Sequence, residues 1–215
     1  GRVGVGIGVG RVGVGIGVGR VAVGTGVGDG VSGVEAAVSD PVTAGSLRVA
    51  SILDGAALEA LLSVWRRAPL QVLARLHLLA AAGLAEPEQL GRPRVGAGQR
   101  LELLGQLVVG GTRAPAAVLA AVVHGELLGL QAFGTADGVV ARAASRLVMV
   151  STGLDVHNLT VPEVSWWRHA SEYRSSAEGF ASGTPEGVAA WVVACCAAVV
   201  AGAGEATSIA DAAQS

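Results

Sequence analysis

The chain has 215 residues, 51% of them hydrophobic, and a formal net charge of -2 at neutral pH. That length gives one domain, or a domain with a tail, and hides roughly 70% of the unfolded surface in a core. The near-balanced charge supplies no basic field, so neither nucleic acid nor an anionic membrane is an expected partner. All 15 basic residues are Arg; with the excess of Ala, Gly and Val, this reads as GC-rich coding rather than function. The only cysteines, Cys195 and Cys196, are adjacent. On a helix they project about 100° apart, a poor geometry for a bridge. They read as small buried side chains of a reducing, cytoplasmic compartment.

The first segment, residues 1–33, is of low complexity. RVGVGIGVG occupies 2–10 and 11–19, and RVAVGTGVG follows at 20–28. Gly and Val alternate as in a strand, but the period is odd, so each Arg turns the apolar face over. Glycine at alternate positions adds a backbone entropy cost. Disorder or weak β association is therefore expected here rather than a stable sheet. Gly8 to Gly13 fits G-x-G-x-x-G, yet no helix-forming run follows it, so the match carries no dinucleotide site.

From residue 34 to 215 helical periodicity takes over. ALEALLSVWRR (57–67) places Leu58, Leu61, Leu62 and Trp65 on one face. Pro69 opens a helix over 69–83 that Gly83 closes, and His77 on it reads as a core or surface side chain rather than a ligand. Further helices are expected over 98–111, 114–130, 138–153, 161–180 and 184–213. The last starts with Thr184 as N-cap, Pro185 and Glu186. Its uncharged stretch 187–204 lies between Glu186 and Glu205 without an Arg anchor, and is expected to be a buried core helix rather than a membrane span. The fold class is all-α, a bundle of about seven helices. The adjacent Trp166 and Trp167 cannot both face one core stripe; partial burial between helices is the expected arrangement, and exposure of one as a partner surface is the alternative.

Between the helices at 114–130 and 138–153 lies QAFGTADGVVAR, residues 131–142. Gly134 and Gly138 permit close backbone approach, and the helix opening at Gly138 offers free N–H groups and a positive dipole end, the elements of an anion site. Phe133, a lone aromatic in this loop, would pin it into the core. The frame resembles the signature of the Fic (Fido) family, H-P-F-x-[DE]-G-N-G-R-x-x-R between two buried helices. Phe133, Gly138 and Arg142 match it without a gap. The flanking segments AVVHGELLGL and RLVMVSTGLD, with WRRAPLQVLARLHLLAAA (65–82) and SGTPEGVAAW (182–191), are similar to actinobacterial Fic-like proteins with an altered motif. The resemblance covers about Asp40 onward and implies a Fic-like helical domain.

In that family the motif His is a general base, the acidic residue holds Mg²⁺, and Asn and the first Arg orient the triphosphate of ATP. The resemblance puts Gln131, Thr135, Asp137 and Val139 at those places. Gln131 accepts no proton near neutral pH. Thr135 is a poor sole ligand for Mg²⁺. Val139 removes a fork of donors, and Asp137 adds negative charge beside phosphates. Losing one base alone costs about 10²–10⁴-fold in rate. The resemblance therefore implies a domain without ordinary AMP transfer that acts by binding a nucleotide or a protein partner. Gln131 and Asp137 occupy the catalytic places; Phe133, Gly134, Thr135, Ala136, Gly138 and Arg142 are the nucleotide-binding residues, ATP is the implied cofactor, and no metal ligand is assigned. The alternative is an active nucleotidyl transferase that uses Asp137 or His124 as base. A third reading is a helical domain with no ligand. The resemblance also implies an inhibitory segment, which Ser182 to Gly187 fits, and a target-docking flap near 91–100. Arg142 and Arg146 share one helix face, facing either an anion or bundle carboxylates.

Overall fold

The computed structural model describes residues 40–110 and 112–214. The nonapeptide repeat, the glycine-pattern match at 8–13 and the domain boundary after residue 33 lie outside the described residues. Among the described residues there are nine α-helices and no strand, so the fold is all-α. They are α1 (Pro41–Ser51), α2 (Gly55–Trp65), α3 (Pro69–Ala81), α4 (Gly98–Val108), α5 (Ala116–Leu130), α6 (Asp137–Ser151), α7 (Pro162–Arg168), α8 (Ala170–Ala181) and α9 (Pro185–Gln214).

Proline and short polar caps set most of these starts. Asp40 accepts the Thr43 N–H at 2.8 Å ahead of Pro41. Thr184 accepts the Gly187 N–H at 3.2 Å ahead of Pro185, as the Thr-Pro-Glu order predicts. Gly83 and Gly153, placed after α3 and α6, both hold positive φ, the conformation that ends a helix most cheaply on glycine.

The antiparallel pair α5–α6 is the centre of the molecule. Small buried residues line it, including Ala120 on α5 and Ala141, Ala143 and Ala144 on α6, which lets the two axes approach closely. On one side α1, α2 and α3 pack against α6 around Leu61, Leu62, Trp65, Leu76 and Met149. On the other side α8 and α9 pack against α5 around Phe180, Trp191 and Cys195.

Two elements depart from the sequence expectation. The helix expected over 161–180 is broken at His169 (φ -117°, ψ 44°) into α7 and α8. Val161 donates to the Gly202 carbonyl of α9 at 3.3 Å, whereas Tyr173 and Phe180 turn toward α5 and α9; one straight helix would not serve both contacts. The helix count exceeds seven for this reason and because α1 forms ahead of the first expected helix. The other departure is α9. It is no buried core helix: only Trp191, Cys195, Ala198 and Gly202 are buried, one stripe along its length, while Val193 and Val200 are 68% and 74% exposed. It lies at the edge of the bundle, where α5, α7 and α8 cover one side. By length and composition alone it is long and apolar enough to cross a bilayer. Burial, then the neighbouring Cys196, push the Cys195 thiol up to about 12, so it stays a protonated, inert core group.

Candidate functional site

The loop between α5 and α6 reverses the chain with three left-handed residues. Gln131 (φ 45°) caps α5, Gly134 (φ 82°) turns the loop, and Ala136 (φ 53°) precedes α6. A non-glycine residue in that region costs on the order of 1 kcal/mol or more, so the surroundings must hold the loop in place. Several contacts do. Asp137 Oδ1 accepts the Phe133 N–H at 2.9 Å. The Ala132 carbonyl accepts the Arg94 N–H at 2.7 Å, and Arg94 Nη2 reaches the Leu130 carbonyl at 3.3 Å. Phe133 is buried, as a pinning aromatic should be, and stacks on His77 of α3 with centroids 4.3 Å apart and planes 12° from parallel.

His77 is itself fixed from both ends. Its Nδ1 accepts the Gly91 N–H at 2.9 Å. In the neutral ring the proton then sits on Nε2 and is donated to Thr135 Oγ1 at 3.1 Å. Burial holds the His77 pKa below its ordinary value, against the bond to Thr135. Burial also raises the Asp137 carboxyl, opposed by the N–H groups of Phe133 and Gly134 and by the Arg94 charge.

Arg142 defines the second part of the site. Its guanidinium folds back along α6, so that a methyl added to Gly138 would lie 3.3 Å from Nη1. The room above Gly138 therefore belongs to the protein's own cation. Nη1 faces Tyr173 Oη of α8 at 3.5 Å, and that hydroxyl lies 2.8 Å from His124 Nε2 of α5. His124 is fully buried, with Trp166 and Trp191 edge-on at 4.7 and 5.1 Å. Burial, then the Arg142 charge, hold its pKa well below the ordinary histidine value. Burial likewise raises the Tyr173 phenol. Two buried atoms, Arg142 Nε and His124 Nδ1, have no hydrogen-bond partner, and no carboxylate pairs with Arg142 among the described residues. Arg146, one turn on, is different: it pairs with Glu163 at 2.7 Å and also binds Asn158 and the Thr160 carbonyl.

The fold thus joins Phe133, Gly134 and Asp137 through hydrogen bonds, ties Thr135 to His77, and sets Arg142 over Gly138. Gln131 is exposed and Ala136 half-buried in the same loop. Val139 is buried in the core. The donor set does not suit a protein-ligated Mg²⁺: Thr135 is engaged by His77, one Asp137 oxygen by the backbone, and no group of three or more His, Cys, Asp or Glu side chains is placed to hold a metal among the described residues. His77 and Arg94 hold the loop and Tyr173 holds Arg142, with Trp191 behind His124; residue type does not mark these as site residues, and the lone Tyr in the chain is one available signal. Within the inhibitory-type segment, Thr184 caps α9 and Glu186 is exposed in its first turn. Trp166 packs inward, while Trp167 is 58% exposed, so one ring is exposed rather than both partly buried between helices.

Beside the loop runs a mostly apolar groove of 310 Å³, lined by Leu70, Leu73, Pro93, Leu101 and Phe133 among others. A wider, shallower depression of 540 Å³ lies between α8 and α9, lined by Ser171, Ser175 and Ala190 and by none of the loop residues. No family model, no curated protein and no solved structure matches the chain.

Proposed function

We propose that the chain is a Fic-like helical domain that binds the phosphates of ATP beside the 131–138 loop and Arg142, without carrying out ordinary AMP transfer. One observation carries this reading: a half-buried guanidinium is held against the first turn of α6 and has no carboxylate partner among the described residues. Cation and helix N-terminus together favour an anion. The lack of transfer rests on the exposed amide of Gln131 in place of a base, on the buried Val139 in place of a cation, and on Thr135 being already bonded to His77. A protein partner is the other half of this reading, and the exposure of Trp167, Val193 and Val200 supports it. A cytoplasmic setting remains part of the proposal.

Calorimetric titration of the full chain with ATP, with and without Mg²⁺, tests it. Micromolar binding that is lost in Arg142→Ala is the expected result; no heat at high micromolar ATP contradicts it. A second reading, nucleotidyl transfer to a protein hydroxyl, is favoured by the raised pKa of Asp137, which brings a carboxylate nearer to a useful base. His124 is no alternative base, because it is fully enclosed. Turnover of labelled ATP onto protein that disappears in Asp137→Asn would support this second reading.

A further inference from the structure

We infer that Tyr173 is the positioning residue that sets the Arg142 guanidinium for phosphate; this rests on the phosphate-binding reading above. A guanidinium only donates, so at the 3.5 Å contact Tyr173 Oη is the acceptor. The hydroxyl proton of Tyr173 is then free to go to His124 Nε2, 2.8 Å away. That places the imidazole proton on Nδ1, the atom without a partner. The order of donation runs in one direction, Arg142 to Tyr173 to His124.

Each member is fixed by the next. His124 is enclosed by Trp166 and Trp191, and Trp191 is anchored through Nε1 to the Ala121 carbonyl at 2.7 Å. Tyr173 is held by His124, and Arg142 by Tyr173. An arginine side chain loses much rotamer freedom on binding, so a guanidinium fixed before the anion arrives binds it more tightly than a free one. The Nε is buried without a partner while the Nη atoms lie over Gly138, so the contact of Nη1 with Tyr173 is what orients the guanidinium. Through this chain α8, which belongs to the C-terminal layer, acts on a cation carried by α6.

The test uses the full chain and Tyr173→Phe, which keeps the ring. One readout needs no ligand: the ¹⁵N NMR signal of the Arg142 Nε–H, assigned by its loss in Arg142→Lys. In the unaltered chain it should be resolved and slow to exchange, and in Tyr173→Phe it should merge with the exposed arginines. The other readout is ATP affinity, expected to fall about tenfold, with a fall of a few degrees in the thermal midpoint because the buried His124 Nε2 loses its partner. If Tyr173→Phe does not fold, His124→Phe, which removes the acceptor behind the hydroxyl, should give the same change in the Arg142 signal. An Arg142 signal and an ATP affinity both unchanged by loss of the hydroxyl would overturn the inference. If the unaltered chain binds no ATP, the phosphate-binding reading fails by itself, and the Arg142 signal still decides whether Tyr173 positions it.

Discussion

At Gly138 a methyl group would sit 3.3 and 3.6 Å from the two terminal nitrogens of Arg142. Its backbone is helical, so alanine there fits α6 and raises helix propensity by about 1 kcal/mol. Gly138→Ala should therefore raise the urea midpoint slightly while it displaces the guanidinium and weakens ATP binding about tenfold. A gain in stability with a loss of affinity separates this account from one in which Gly138 only permits a turn. Gly125 on α5 gives the opposite result. A methyl there would lie 2.6 Å from Trp191 Nε1 and 2.8 Å from a Phe180 ring carbon, both in a packed cluster. Gly125→Ala should lower stability by about 1–3 kcal/mol, read as a fall in the urea midpoint; an unchanged midpoint would mean that α5 and α9 do not meet as described.

At the scale of the element, α3 and α5 each bury a histidine whose pKa lies below its ordinary value of 6.5. As pH falls below that value, the unfolded chain takes up these protons before the folded one does. This part of the stability is complete above about pH 6.5 and is lost as pH falls through the lowered folded values. The urea midpoint should thus drop between pH 7.5 and 5.5, and His124→Gln should flatten most of that drop, since its shift is the larger. Helix starts are legible where proline marks them locally, as at Pro69 and Pro162, and where a polar cap joins it, as at Thr184-Pro185. The break at His169 is not, because it satisfies two distant contacts, with Gly202 of α9 and with His124 of α5, that leave no local mark. For α1, Asp40-Pro41 is a start signal, but its mixed Val, Thr, Ala and Ser give a weak apolar face that does not mark a helix. In the loop, the burial of Phe133 and the placing of Gly138 followed from residue type. The clasp of Arg142 by Tyr173 and His124 did not, since 31 residues separate the first pair and 49 the second.

For the whole molecule, the α5–α6 pair divides the bundle into an N-terminal layer and a C-terminal layer, and the loop with Arg142 draws support from both. His77 and Arg94 hold the loop from the first layer; Tyr173 holds the cation from the second. The indole of Trp191 is the main fixture of the second layer, so Trp191→Ala should cost about 3–5 kcal/mol and reduce ATP affinity with it. The end of α9 beyond Glu205, whose carboxylate pairs with Arg168, is mostly exposed. A chain ending at Glu205 should keep its thermal midpoint within about 2 °C; a larger loss would show that the exposed end packs on something in solution. The most direct test of the account is calorimetry of ATP against the full chain and against Arg142→Ala. The account predicts micromolar binding, little changed by Mg²⁺ removal, that vanishes with the arginine; no heat from the unaltered chain, or equal heat from both, would contradict it.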